Sequence, residues 1–316
     1  MLLSADSVAI REILKPVDWH ATGGKAFVVS PQSEKVVHVY DLPGFEHLYS
    51  FGTVGNGPGE FADHCGVVRE AFPDGNVRFF AQAAISAYRA ADTSAVFLSQ
   101  FPRTKFGGNR YTLLADTLLT AYYIMRRDDK TEVFYRTGGL LSGIQADSLP
   151  TYAYSDEEVI NDGGRLHIKG GLYNVPRHAV YRRNFVLVYP DVHRIDFFEI
   201  ADDGRFSPRK SVGDLSTPEQ IAAMDWKNRA EGTYVCDVTA TEKYVYTFWY
   251  DYTFSDRVMK ARRSGMRVYD WEGRPVRAFV FDRPLNRFLL DEASGRVFAY
   301  DWQQDFDQVY VYRIPE

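Results

Sequence analysis

Only two of the 316 residues are cysteine, Cys65 and Cys236. A count of two excludes a disulfide-knit scaffold and, at this separation, a CxxC pair or a cysteine-rich zinc site. No apolar run approaches the ~20 residues that a membrane-crossing helix needs. A basic surplus is missing as well: the net charge is −5, which argues against a general nucleic-acid binder. The first residues, MLLSADSV, carry neither a basic region nor an apolar stretch of signal-peptide length. The chain is therefore either cytosolic or has lost a leader. The histidines, at positions 20, 38, 47, 64, 167, 178 and 193, form no HxH or HExxH pair. No Gly-x-Ser-x-Gly elbow occurs, because GLLSG at 139–143 has the wrong spacing. Asp305 and Asp307 lack the further oxygens and the glycine of an EF-type calcium loop. No metal or cofactor is expected.

What the sequence has in quantity is aromatic residues: 21 Tyr, 22 Phe and 5 Trp. These favour strands, so the composition leans towards β. Apolar residues at 45% and charged residues at 25% suit an ordered globular chain.

A repeated phrase organises the strands. KVVHVYDLPGFEHLYSFG reads as strand Val36–Tyr40, a Pro-Gly turn, and strand His47–Phe51. Similar phrases start at Ile85, Glu132, Ile195, Met266 and Val309. Each places an aromatic before a polar residue and a turn: Tyr40, Tyr88, Tyr135, Phe198, Tyr269 and Tyr312. The intervals are 48, 47, 63, 71 and 43 residues. Upstream of the copies lie further strand pairs, such as Tyr234–Thr239 with Tyr244–Phe254, and Arg287–Asp291 with Val297–Trp302. Two pairs make a four-stranded unit, and a period near 40–50 residues is that of a β-propeller. The expected fold is all-β: one six-bladed β-propeller domain over residues 1–316, with four-stranded blades. The last copy ends one strand short, and Ser7–Leu14 (SVAIREIL) is expected to complete it and close the ring. The two long intervals hold insertions. One is the polar, Tyr-rich Asp147–Gly164. The other carries a short helix near 216–229, with Ser216 to Glu219 as its capping box and a proline at its start.

FGTVGNGPGEF at 51–61 raises the question of a phosphate loop. A Walker-type loop needs a Lys-Ser/Thr pair opening a helix. Glu60 and Phe61 stand there instead, and the strand at Cys65–Phe72 follows. The stretch reads as a blade-to-blade corner, with glycines for positive φ and Phe51 and Phe61 packing between blades.

GNGPGEF, GVV, DGNVRFF and ISAYRA together resemble one NHL-type propeller repeat, although Gln82 stands where that repeat usually has aspartate. The whole chain resembles the TolB-like six-bladed propellers common in the Bacteroidetes. That resemblance implies a periplasmic or cell-surface location, lipid-anchored in the full-length form. Cys65 and Cys236 then fall on opposite blades, too far apart for the ~7 Å that a disulfide allows. Two free thiols are expected.

The candidate ligand-binding residues sit near one face. His64 follows the glycine-rich corner at the channel end. In YVYTFWYDYTF the alternate aromatics from Tyr244 share one side of a strand. Inter-blade packing accounts for the first of them, while Tyr252 and Phe254 reach the loop surface and can stack on a sugar or peptide. The next residues, SDRVMKARRSG, read as a basic loop carrying Arg257, Lys260, Arg262 and Arg263. Arg177 and His178, with Arg182 and Arg183, form a second basic cluster on the neighbouring blade. The favoured reading is a monomeric recognition module for a protein, peptide or glycan. The alternative is a hydrolase or lyase acting in the channel.

Overall fold

The computed structural model describes residues 1–13, 15–55, 57–61, 65–70, 75–81, 84–102, 109–115, 118–127, 130–140, 142–162, 165–255, 258–304 and 306–315. Its strands run as antiparallel meanders of four. The first is Asp18–Thr22, Lys25–Val29, Val37–Asp41 and His47–Phe51. The second is Gly66–Glu70, Asn76–Ala81, Ala84–Ala90 and Ala95–Pro102. It joins a third, Asn109–Ala115 to Gln145–Pro150, in one eight-stranded sheet through a short parallel pairing of Thr112 with Arg69 and Leu113 with Glu70. Further meanders start at Arg177, Glu231 and Arg287. The arrangement is a β-propeller.

The packing explains why the second strand of a meander reads as a continuous apolar run. Ala26, Phe27, Val28 and Val29 are all buried, as are Phe185 to Val188. A strand with a neighbouring meander on each face has no solvent side, so the alternation of a half-exposed strand disappears. Outer strands keep exposed positions, as Val96, Phe97 and Leu98 show.

The core is divided among the interfaces between successive meanders. Phe27 and Val39 of the first meet Val67, Phe79 and Tyr88 of the second. Val68 and Ile85 meet Tyr111 and Leu119. Tyr135 packs on Phe185 and Leu187, Val186 and Phe197 on Val245 and Trp249, and Phe248 and Phe281 on Phe288 and Tyr312. The last interface, with Trp19, Tyr40 and Phe45 against Phe298 and Tyr300, brings the end of the chain back to its beginning.

The N-terminal segment takes part in this closure, as expected, but over a shorter strand. Asp6–Ala9 pairs antiparallel with Gln308–Arg313, Val8 facing Val309. Beyond it Ile10 still donates its N–H to the Asp307 carbonyl at 2.8 Å, Ile10 and Ile13 are buried in the core, and Leu14 lies outside the described residues. Leu2–Leu3 adds a short parallel pairing to the edge strand Pro275–Phe281 of the neighbouring meander.

Three other expectations need correction. The helix is Pro218–Ala222 rather than 216–229. Thr217 is its N-cap and Gln220 the reciprocal partner, one residue later than the Ser216–Glu219 pairing. It is capped at Ala223, and Trp226 folds back on it, its indole N–H donating to the Ile221 carbonyl at 2.8 Å. The long connection expected at 147–164 starts inside the edge strand Gln145–Pro150 and includes Glu158–Asp162, paired with Arg165–Lys169. The basic stretch after Tyr252 is not a loop. The ladder continues through Tyr252 opposite Ala261 to Ser255 opposite Val258, so Lys260, Arg262 and Arg263 lie on strand Val258–Asp270.

The glycine-rich stretch is a corner. The backbone N–H of Phe61 donates to Thr53 and that of Gly55 to Phe61. The Glu60 carboxylate accepts the Gly57 N–H at 2.7 Å, so an acid of the chain itself occupies the place an anion would take. Phe61 is buried on Phe79 and Tyr88. Gly52 has φ +79°, and a Cβ there would lie 2.4 Å from the Phe61 ring.

Candidate functional site

The first strands of the meanders surround a central channel. Its wider end, about 250 Å³, is walled by Trp19, Phe80, Tyr111 and Tyr300. Five charged side chains face it: Asp18, Arg69, Arg177, Asp237 and Arg287. A narrower chamber of about 90 Å³ follows, lined by His20, Glu70 and Thr112, and the two chambers share Trp19, Arg69 and Asp237. Charge inside a molecule needs a partner or water, and the arrangement shows how each group is held.

Asp18 opens the first inner strand. Its carboxylate accepts the N–H of Val67 at 2.9 Å and that of Trp19 at 3.0 Å. Gly66 makes this approach sterically open, because a Cβ there would sit 2.9 Å from Asp18 Oδ2 and 2.8 Å from the Phe80 ring. Burial pushes the Asp18 carboxyl up, and the attraction of Arg69 and the Val67 N–H only partly offset this. Arg69 lies between the acids. Its guanidinium is 3.5 Å from Asp237 and donates to the Val238 carbonyl at 3.2 Å. Burial disfavours its charge, but Asp237 and Asp18 outweigh that and hold it above its usual value. A β-bulge between Val235 and Asp237 brings Cys236 and Asp237 to the same cavity, which strict alternation would prevent. Neither cysteine is in a disulfide, and both are buried and line the channel. Burial pushes the Cys236 thiol up, making it a poor nucleophile.

His178 is locked in the wall. Tyr135 Oη donates to the Pro176 carbonyl at 3.0 Å, so it can only accept from His178 Nδ1, 3.2 Å away. Nε2 is then the acceptor for the Thr112 hydroxyl at 2.8 Å. Burial, reinforced by Arg69 and Arg177, lowers its pKa to about 3. Burial and Arg69 likewise lower His20 to about 3.

Two of the sequence-predicted residues, Arg177 and His178, face this channel. Arg182 and Arg183 do not join them: they form the turn at the other end of the strand, where Arg183 pairs with Asp202. Tyr252 is buried against Tyr250 in a separate cleft rather than at the open surface. Arg263 pairs with Asp251 at 2.7 Å, and Arg262 lies 3.9 Å from Glu231, both exposed. Neither reaches the channel. His64 and Arg257 lie outside the described residues, as does the side chain of Phe254.

Asp18, Arg69, Asp237 and Arg287 were not singled out from the sequence. Their signal is a charge inside a short apolar strand, as in GVVRE and VCDV. The bulge that aims Asp237 leaves no mark in composition.

Fold and channel together define a β-propeller with a charged, aromatic-walled channel. No known family profile matches the chain, and no curated protein matches it. Among solved structures it is similar to a luciferin-regenerating enzyme, at 11% identity and TM-score 0.44, over 98% of this chain and 95% of that one. It is also similar to a gluconolactonase from Xanthomonas campestris, at 12% identity and TM-score 0.46, over 98% and 90%. A protein from Lactobacillus plantarum shows 12% identity and TM-score 0.39, over 90% and 77%. Likenesses this distant carry nothing about activity.

Proposed function

We propose that the chain is a single six-bladed propeller that binds a small organic acid at the wide end of its channel. The carrying observation is the charge balance there. Three guanidinium groups, Arg69, Arg177 and Arg287, face two carboxylates in a protein whose overall charge is −5. Arg69 is committed to the acids. Arg177 donates one N–H to the Tyr234 hydroxyl at 3.1 Å, while its Nε is buried with no partner. A buried donor left unmade is costly, and a planar carboxylate matches a guanidinium fork. The cavity suits a ligand smaller than a drug-sized molecule. The six interfaces, the last joining the two chain ends, support the count of six blades. The resemblance of the whole chain to TolB-like propellers supports a cell-envelope location, and the chain is taken to act there as a monomer.

A second reading is catalytic. Asp18 is a deep carboxyl with a raised pKa beside another acid, the setting of a general acid. It makes the same cavity a hydrolase or lyase site for the acid bound there.

The test is thermal unfolding with acetate, succinate or citrate at constant ionic strength. A ligand at a hundred times its Kd adds about 2.7 kcal/mol. The proposal expects one of the acids to raise Tm in the wild type and to lose that effect in Arg177→Ala and Arg287→Ala. Equal shifts in all three proteins would exclude the channel as the binding place.

A further inference from the structure

The third meander carries a cleft of about 510 Å³ that shares no lining residue with the channel. Its floor is one face of the strands Leu118–Arg127, Lys130–Gly139 and Gln145–Pro150. The register lays that face out in rows. Met125 stands beside Glu132, Tyr123 beside Phe134 and Pro150, and Arg136 beside Ser148. Strand alternation puts Glu132, Phe134 and Arg136 on the same side, opposite to Tyr135, which packs into the core.

Two opposite charges of this face are uncommitted. Arg136 leans back over the middle row. Its guanidinium carbon is 4.3 Å from the centre of the Tyr123 ring and 4.6 Å from that of Phe134. The rings hold the group in place, but no acid, hydroxyl or carbonyl pairs with it among the described residues, and its Nε is buried without a partner. Glu132, one row further, is exposed and likewise has no hydrogen bond or ion pair among the described residues. The neighbouring polar groups are taken. Arg126 and the Thr131 hydroxyl both donate to Glu157, and the Thr151 hydroxyl donates to the Val133 carbonyl at 2.7 Å. A charge on a partly dry floor gains most from an opposite charge that a ligand brings to it.

We propose that this cleft binds a dipeptide with both ends free. Its carboxylate pairs with the Arg136 guanidinium, its ammonium group with Glu132, and its side chains lie against Met125 and Pro150. The length follows from the rows. Glu132 and Phe134, over which the guanidinium lies, are two residues of extended chain apart, about 7 Å, and an extended dipeptide spans about the same. A dianion such as a phosphate monoester would be repelled by Glu132 while it met Arg136. A neutral ligand would use neither charge. The site stands independently of the channel reading.

The experiment is ligand-detected NMR titration of the full chain with Leu-Leu, its N-acetyl form, its C-terminal amide and the tetrapeptide Leu-Ala-Ala-Leu. Leu-Leu should bind, and blocking either end should weaken it about ten-fold or more, the loss of roughly one charge-assisted contact. The tetrapeptide, whose ends lie about twice as far apart, should bind as weakly as the blocked forms. Arg136→Met keeps an apolar stem on the rings and should weaken Leu-Leu by a similar factor. Glu132→Gln, at an exposed position that folding does not depend on, should bind Leu-Leu and its N-acetyl form alike. Arg177→Ala should leave Leu-Leu binding unchanged. Blocked dipeptides binding as tightly as Leu-Leu would overturn the charge pairing, and a tetrapeptide binding as tightly would overturn the span. Loss of binding in Arg177→Ala but not in Arg136→Met would put the peptide in the channel and overturn this site. No binding of Leu-Leu would overturn it too and leave the channel reading as it stands.

Discussion

His178 offers the sharpest quantitative consequence of the channel wall. Folded, its pKa is held at about 3 by burial and by Arg69 and Arg177. Unfolded, it titrates near its ordinary ~6.5. Between these values the unfolded chain binds the proton and the folded chain does not. Stability from this residue is therefore complete above pH ~6.5 and is lost as the pH falls towards 3. The slope approaches about 1.4 kcal/mol per pH unit, and between pH 7 and pH 5 the loss integrates to about 2 kcal/mol. Other groups titrate too. His20 acts in the same direction, whereas Asp18 and Asp191, raised by burial, act oppositely at lower pH. The comparison that isolates His178 is therefore urea unfolding of the wild type and His178→Gln at pH 7 and pH 5. Glutamine can still bond with Thr112 and Tyr135 but cannot take up the proton. The wild type should lose about 2 kcal/mol more than the variant over that interval. Equal losses would refute the locked neutral histidine and the Tyr135–His178–Thr112 chain that requires it.

Other perturbations test the neighbouring links. Gly66→Ala places a methyl against Asp18 and Phe80 and should cost about 1–3 kcal/mol in urea unfolding; a neutral effect would mean that Asp18 is not held on the Val67 N–H. Arg69→Met leaves Asp18 and Asp237 without their cation and should destabilise by about 3–5 kcal/mol at pH 7. Asp237→Asn in the same chain should recover part of that loss, and a strictly additive double variant would contradict the coupling. Phe61→Ala should cost about 3–5 kcal/mol, as expected for a corner residue buried between meanders, whereas a loop dedicated to ligand would tolerate it. Deleting residues 1–9 should lower Tm by removing the partner of Gln308–Arg313, and an unchanged Tm would show that closure does not depend on that strand.

Much of the fold was legible because propeller strands repeat their burial. His47–Phe51 and Arg287–Asp291 fall where alternation and turns place them, and the aromatics that marked the repeat, among them Tyr40, Tyr88, Tyr135 and Tyr312, are buried. Errors arose where tertiary contacts override local pattern. Ile10 and Ile13 read as strand residues, but the strand ends at Ala9 and both are buried in the core. Thr217 and Ser216 are both acceptable caps, and the helix stops at Ala223, with Trp226 bonded back to the Ile221 carbonyl. The site was less legible than the fold. Arg177 was found through local charge, but its companions Arg69 and Arg287 lie far away in sequence and meet it only because the inner strands ring one channel. The insertions were visible as long intervals, while the stacking of Tyr154 of one on Trp226 of the other depends on how the meanders are placed.

The most direct measurement is a crystal structure of the protein soaked with the acid that most raises its Tm. The account predicts the acid in the wide chamber, with its carboxylate within hydrogen-bond distance of Arg177 Nε and of Arg287. An acid bound elsewhere, with Arg177 Nε still unpartnered in a water-filled channel, would contradict it.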